Sequence, residues 1–270
     1  MVQITGRSCP FRMLVLAIVL VIAPWFSPSI LPAQYDSGGE SDISHGAAGH
    51  AQAPAQSSQW EGSSEGKAYS EFSHQISALC VLLIGFGELR SSLGVRGREW
   101  GTYVLPGALM TAGVWLLIWS DHDAWPVGHM SFLDTFVRAT GEIAQHKQYG
   151  LLALSVGAIE LIRRLGILQS PLWLFPLPLY AIAGGTMLFS HDHGAHPATQ
   201  HIAIHHALMG SAAIAAGLAK TLASWKAVRQ FATMAGTSLR RHDPRTISRW
   251  DLVWSLLVLV IGVQLLLYRE

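Results

Sequence analysis

Long apolar stretches are the feature that most limits what this chain can fold into. Half of its 270 residues are hydrophobic. They fall in blocks of about 18 to 22, the helix length that crosses a hydrocarbon core of about 30 Å. We therefore predict an all-α protein, a polytopic bundle of six transmembrane helices in contact with the lipid bilayer. The predicted spans are residues 70–90, 102–120, 142–163, 171–190, 200–222 and 250–268.

The residues before the first span predict an exported N-terminal region. A basic start, an apolar run from Met13 to Ala23 and small residues after it are typical of a secretion signal. We interpret residues 1–34 as a signal peptide or, alternatively, as an N-terminal anchor. Residues 35–69 are polar and rich in Gly, Ser, Ala and Gln, which predicts a disordered periplasmic tail. Residues 70–270 then form the six-helix transmembrane domain.

The charges of the loops predict the orientation in the membrane. Arg and Lys are concentrated around residues 90–101, 163–170 and 220–250. The opposite loops are poor in Arg and Lys and hold the aspartates Asp121, Asp123, Asp134 and Asp192. Because positively charged loops stay in the cytoplasm, we expect a multi-pass protein of the bacterial inner membrane. Its tail and most of its histidines would face the periplasm, and no nucleic-acid partner is expected.

Histidine is distributed unevenly in this chain. All but one of the 13 histidines lie on the predicted periplasmic side, in the tail or near the outer ends of spans. Imidazole is a common ligand of transition metals and of haem iron. The distribution therefore predicts a periplasm-facing metal site.

The fifth span carries one candidate ligand set. His201, His205 and Met209 stand at positions i, i+4 and i+8, on one helical face. Two imidazoles on successive turns can hold one metal ion, and the thioether of Met209 favours Cu(I). His206 points about a quarter-turn away and would serve a neighbouring site.

Two loop motifs alternate carboxylates with imidazoles, one after span 2 and one after span 4. Aspartate can bind a metal directly or orient a ligating histidine. Solvated loop residues are the alternative interpretation. The candidate ligands in these motifs are Asp121, His122, Asp123, His191, Asp192 and His193.

Polar side chains also lie inside the spans. His74 and His146 are about one turn inside spans 1 and 3, where a polar group usually faces the bundle interior. With His206 they are candidate cofactor-binding residues, although a hydrogen bond to a neighbouring helix is the other interpretation.

Two glutamates lie at the opposite ends of the same two spans. Glu88 and Glu160 could relay protons or cations. We rather expect them to pair with Arg90 and Arg163 near the cytoplasmic interface.

The spans also show an internal repeat. A histidine is followed by glycine at +11 and glutamate at +14 in spans 1 and 3, and span 5 repeats the first offset with His206 and Gly217. This spacing predicts duplicated helical hairpins of about 70 residues, with a degenerate third. The matching residues of spans 1 and 3 are His74, Gly85, Glu88, His146, Gly157 and Glu160.

On these residues the chain resembles the copper-resistance D (CopD-like) group of bacterial inner-membrane proteins. The resemblance rests on the histidine-led spans, the SHDHG run at 190–194 and HHALMGSAAIAAGLAK at 205–220. It implies copper bound on the periplasmic side and a role in copper transport or resistance. A periplasmic metal chaperone or a larger membrane complex would then be a partner. The chain departs from the group in its few external methionines and its separate polar tail.

Two other functions fit the same residues. A b-type haem needs a histidine from each of two facing helices, which His74, His146 and either His205 or His206 could supply. An intramembrane zinc hydrolase could use Ser120, Asp121, His122, His201 and His205. We favour a non-enzymatic copper-handling protein over both.

Overall fold

The computed structural model describes residues 63–95, 99–139, 141–190, 199–234 and 248–269. The predicted signal segment 1–34 lies outside the described residues, as does the predicted tail up to residue 62. Residues 64–69, which we assigned to the tail, are instead helical. The reason is a helix start at this point: the Ser63 side chain accepts a hydrogen bond from the Gly66 amide at 3.1 Å.

The described residues are helical and contain no β-strand, which confirms the all-α prediction for this part of the chain. Short helical turns precede α2 and α4 and follow α4, and another lies at Asp134–Arg138. The α-helices are α1 (Ser64–Ser92), α2 (Val104–Ile118), α3 (Gly141–Arg164), α4 (Pro176–Met187), α5 (Thr199–Met234) and α6 (Arg249–Leu266).

Five described segments are long and apolar enough to cross a membrane, one fewer than the sequence predicts. The exception is α3, whose uncharged stretch between Lys147 and Glu160 is too short. Large apolar side chains such as Phe86 and Val260 are about half exposed on the outside of the helices, as a lipid environment requires. The five segments are Ser64–Ser92, Gly101–Ile118, Pro171–Ser190, Ile202–Gln230 and Arg249–Leu266.

Contacts between neighbouring helices run around a closed ring in chain order. The most extensive contacts join α1 to α6, α2 to α3 and α4 to α5, and further contacts link α5 to α6, α1 to α2 and α3 to α4. The first and last helices are thus neighbours. The tightest pairs are not the hairpins that the repeat predicts, because α3 packs mainly on α2 rather than on α4.

A glycine brings the two backbones of each tight pair together at the same register. A Cβ added to Gly157, Gly217 or Gly85 would lie 3.1, 3.0 or 3.1 Å from a backbone nitrogen of the partner helix, namely Met110, Ile182 or Leu259. A side chain there would push the helices apart. Each glycine stands 11 residues after a histidine. The helix pairs therefore hold three histidines at one level of the ring.

We name the two ends of the ring by their residues. The histidine end holds the starts of α1, α3 and α5 and the ends of α2, α4 and α6. At this end the Tyr69 hydroxyl donates to the Trp119 carbonyl at 2.5 Å, and the Gln145 amide donates to the Ser190 carbonyl at 3.2 Å. The arginine end holds the other ends of these helices, including Arg90 and Arg164.

Candidate functional site

The interior of the ring contains a cavity of about 270 Å³. All of the helices α1 to α6 contribute to its lining, which is mostly apolar. Three histidines from different helices line it: His74 from α1, His146 from α3 and His206 from α5. The structure thus brings together the three residues that the sequence marked as cofactor-binding candidates.

The shared register explains why these histidines meet the same cavity. Each precedes its contact glycine by 11 residues, or about 16 Å along a helix. Since the three glycine contacts lie at equivalent positions of the helix pairs, the imidazoles enter the ring at matching depth. His206 is only 2% exposed.

Hydrogen bonds fix the tautomer of two of these rings. Nδ1–H of His74 donates to the Ser70 carbonyl at 2.8 Å, and Nδ1–H of His146 donates to the Asp121 carboxylate at 2.9 Å. A carbonyl or an ionised carboxylate only accepts, so the proton must be on Nδ1. In the neutral rings the lone pair is then on Nε2, as in histidines that a second residue orients for ligation.

Asp121 is the centre of a buried polar group beside the cavity. Its carboxylate lies 3.2 Å from the Lys147 ammonium and accepts a hydrogen bond from Ser120. Burial alone would raise the pKa of Asp121, but the neighbouring His146 and Lys147 lower it to about 2. Lys147 also donates to the Leu117 carbonyl at 3.1 Å, at the end of α2. The group therefore ties α2 to α3 and holds His146 in place.

Tyr268, which follows α6, packs among the histidines and is fully buried. Its ring stacks on His74 with centroids 4.0 Å apart, and it is nearly parallel to His206 at 6.2 Å. An ion pair between Arg269 and Glu71 holds the same segment against α1. Tyr268 thus connects two cavity histidines from different helices.

The candidate ligands of α5 separate into two groups. Met209 is 2% exposed and lines the cavity together with His206. His205 is partly exposed and meets the edge of the Tyr268 ring at 6.2 Å. The backbone of His201 is helical, but its side chain lies outside the described residues. Met209 therefore shares the cavity with His206, at i and i+3, rather than with His205.

The loop after α2 forms a more exposed cluster. Asp123 lies 3.1 Å from Nε2 of His122 and 3.3 Å from Nδ1 of His129. Burial lowers the pKa of His122, and the nearby Asp123 only partly opposes this. A neutral imidazole is the form that ligates a metal. Carboxylate and imidazole groups of this loop are thus close to one another in the structure as well as in the sequence.

The second loop motif, His191, Asp192 and His193, lies outside the described residues. Among the described residues, no three side chains of the His, Cys, Asp and Glu types are close enough together to hold a metal ion. The cavity histidines are therefore spread over its walls rather than gathered around one point.

A cluster of paired charges closes the arginine end of the ring. Glu88, Glu160 and Lys220 each stand 14 residues after a cavity histidine, so they too occupy equivalent positions. Arg164 donates to Glu88 at 3.0 Å and to Glu160 at 3.1 Å. Lys220 lies 3.2 Å from Glu88 and 2.9 Å from Asp251. Two buried carboxylates and a partly buried one thus neutralise the partly buried cations at this end.

The predicted partners of the two glutamates are half correct. Arg163 pairs with Glu160 at 2.6 Å, as the sequence predicts. Glu88 pairs with Arg164 and Lys220 instead of Arg90. The reason is helical direction: residues two apart on a helix point about 200° from each other. Glu88 is therefore turned towards Arg164 and Lys220 rather than towards Arg90.

Sequence reasoning missed three residues of these groups. Lys147 is a buried cation and Lys220 a partly buried one, both within helices, and their apolar neighbourhood was a usable signal. Tyr268 had no comparable signal, because an aromatic residue after a last span is usual at a membrane interface.

Comparisons with protein-family models, with curated proteins and with solved structures find no match to this chain. The class of the protein therefore rests on its own fold and cavity. Its long apolar helices are those of a multi-pass membrane protein. The ring of helices surrounds an interior cavity whose mostly apolar lining includes three histidines. This cavity is the candidate functional site.

Proposed function

We propose that this chain is a copper-binding protein of the bacterial inner membrane that binds copper on its periplasmic side. The observation that carries the proposal is the shared cavity of three imidazoles from three helices and one thioether, those of His74, His146, His206 and Met209. A polar side chain such as imidazole is costly to bury in a membrane, and the polar residues found there usually have a function. No enzymatic step is part of the proposal.

The donor types favour copper over other ions. Thioether sulfur selects Cu(I), and imidazole binds both oxidation states of copper. Cu(I) is stable with two or three donors. His206 and Met209 lie one turn apart on α5, so one further imidazole would complete a site. The hydrogen bonds of His74 and His146 support this use, because they direct the lone pair to Nε2.

We assign α3 as the sixth membrane span, with the histidine end facing the periplasm. The charges that set α3 apart from the other helices are paired within the ring: Lys147 with Asp121, and Glu160 with Arg163 and Arg164. Pairing reduces the cost of placing them in a membrane. The arginine end would face the cytoplasm in agreement with the loop charges.

The loop residues would capture copper before it enters the cavity. His122 and Asp123 lie together in the first loop. The predicted ligands that complete this outer group are His191, Asp192, His193, His201 and His205. A periplasmic metal chaperone or a larger membrane complex would deliver or receive the ion.

The charge cluster supports binding and handling over free passage of copper. The cluster contains three carboxylates and three cations, and each makes an ion pair. A neutral, fully paired group offers a cation no vacant ligand. Copper resistance by binding at the periplasmic side therefore fits the ring better than an open channel.

A b-type haem is the second candidate, and the chemistry of the cavity wall favours it. The lining is mostly apolar, and its histidines come from different helices. A haem needs an apolar slot with axial imidazoles on opposite walls, so it does not require the ligands to be gathered in advance. In that case His74, His146 and His206 would be the axial candidates and the protein would transfer electrons.

We further infer that the ring arose by duplication. The three tight pairs repeat one glycine contact and place histidine and charge at the same offsets. The repeating unit would be a short helix followed by a long one, with α6 and α1 completing the third unit across the ring.

The test is metal analysis combined with an ultraviolet–visible spectrum of the full chain, purified in mild detergent without added metal. About one copper per chain and no Soret band would support the proposal. A Soret band with iron would replace it with the haem function. Zinc alone would support the hydrolase. A metal-free protein that does not bind added Cu(I) would contradict the copper proposal.

A further inference from the structure

A second cavity, of about 340 Å³, opens at the arginine end between the end of α1 and the start of α2. Its apolar wall includes Leu83 and Phe86, whose side chains are 55% and 60% exposed on the outside of α1. Its polar wall includes Arg90, Ser91 and Arg164. One groove thus joins a lipid-facing apolar surface to a cationic pocket.

The cations of this groove differ in their pairing. Arg164 is occupied by Glu88, by Glu160 and by the Thr102 carbonyl, to which it donates at 2.6 Å. Arg90 is partly buried and has no carboxylate partner among the described residues. Because the charge cluster that contains Arg164 is neutral in itself, Arg90 gives the groove one positive charge in excess. An anion is the ligand that would balance it.

The order of apolar and cationic side chains along α1 matches the order of acyl chains and phosphate in a phospholipid. Leu83 and Phe86 precede Arg90 by seven and four residues on α1, which places them about 10 and 6 Å deeper in the bilayer. Acyl chains would contact these side chains while a phosphate reached Arg90. A guanidinium binds phosphate with two parallel hydrogen bonds. Basic pockets between helices on the cytoplasmic side are typical sites for anionic lipid headgroups.

We propose that this groove binds the headgroup of an anionic phospholipid, with Arg90 as the phosphate ligand. The site is independent of copper, since Arg90 lies 16 residues after His74, about 24 Å along α1. Failure of the copper proposal would leave this one unchanged, and the reverse also holds.

Native mass spectrometry of the purified full chain in detergent tests the proposal. The protein is titrated with phosphatidylglycerol, with phosphatidylcholine of the same acyl chains, and with inorganic phosphate. The variant is Arg90→Gln. The matched control is Arg229→Gln, because Arg229 is an exposed arginine at the same end that lies over the Trp225 ring at 5.4 Å.

We expect the wild-type chain to retain phosphatidylglycerol in preference to phosphatidylcholine, and Arg90→Gln to weaken that retention about tenfold. Arg229→Gln should bind like wild type, and Arg90→Lys should recover only part of the loss because it keeps the charge without the paired hydrogen bonds. Equal retention of the two lipids would overturn the proposal. Equal losses in the Gln variants, or displacement of the lipid by inorganic phosphate, would also overturn it.

Discussion

The ring of Tyr268 stacks on the imidazole of His74, with centroids 4.0 Å apart and planes 22° apart. This contact joins the segment after α6 to the first turns of α1, the helix that begins the ring. It therefore closes the ring at the level of the cavity histidines. Tyr268 also lies nearly parallel to His206, so one side chain sets the positions of two proposed ligands.

Removing the Tyr268 ring should loosen both ligands. We expect Tyr268→Ala to lower the free energy of unfolding by about 3 kcal/mol, as for other buried aromatic residues, and to weaken copper binding. Tyr268→Phe keeps the stacking surface and should retain both properties. Thermal unfolding in detergent and a Cu(I) competition titration measure them. Identical behaviour of the Ala and Phe variants would show that the ring does not organise the site.

Asp121 should control the affinity of the cavity through His146. Asp121→Asn leaves the shape of the side chain but removes the charge that holds Nδ1–H of His146 and pairs with Lys147. We expect copper affinity to fall about tenfold, the usual effect of losing a residue that orients a metal ligand. Cu(I) competition titration gives the affinity.

The matched control for Asp121 is Asp134, an exposed aspartate that pairs with Arg138 at 3.0 Å on the same side of the ring. Asp134→Asn should leave copper affinity and thermal stability at their wild-type values. Equal effects of the two substitutions would mean that the Asp121–His146 contact has no part in binding.

The charge cluster at the arginine end should affect stability without affecting copper. Glu88→Gln removes a buried carboxylate and leaves the partly buried Arg164 and Lys220 with fewer negative partners. Breaking a buried ion pair in this way costs about 3 kcal/mol. Copper content should be unchanged, because Glu88 is about 21 Å along α1 from His74. Glu65→Gln, at an exposed position of the same helix, is the control for thermal unfolding and metal analysis.

Loss of copper in a folded Glu88→Gln protein would show that the two ends of the ring are coupled, contrary to this prediction. A stability equal to that of Glu65→Gln would show that the pairs contribute little.

Gly157 tests the close approach of α2 and α3. An added Cβ would lie 2.7 Å from the Met110 side chain and 3.2 Å from the Pro106 carbonyl. Gly157→Ala should therefore reduce the thermal stability. Gly107 is an interior helix glycine with nothing within 4 Å of an added Cβ, so Gly107→Ala should be neutral or slightly stabilising. The opposite order of stability would contradict the close packing.

The sequence predicted the helices and the inward histidines for a clear physical reason. Apolar runs have few alternatives to membrane-length helices, and an imidazole such as His74 is unfavourable towards lipid. The packing partners were harder to predict, since α1 and α6 are distant in sequence and their contact depends on Gly85 facing Leu259. The predicted duplication of hairpins did not indicate which helices make the most extensive contacts.

The charges of α3 show another limit of sequence reasoning. Its span was predicted from its apolar centre, but hydropathy alone does not identify it because Lys147 and Glu160 interrupt the pattern. Glu160 pairs with Arg163 and Arg164 of the same helix. Asp121, the partner of Lys147, lies instead in the loop after α2. Only the folded ring shows that the charge of Lys147 is neutralised.

The most direct test of the account is the copper content of the His74→Ala/His206→Ala double variant. His129→Ala is the control, because the His129 side chain is 80% exposed in the loop. Each protein is purified as a single species, its thermal unfolding is measured, and copper is then counted per chain after Cu(I) loading. We predict about one copper in wild type and in the control, and loss of that copper in the folded double variant. A folded double variant that retains the wild-type copper content would contradict a copper site in this cavity.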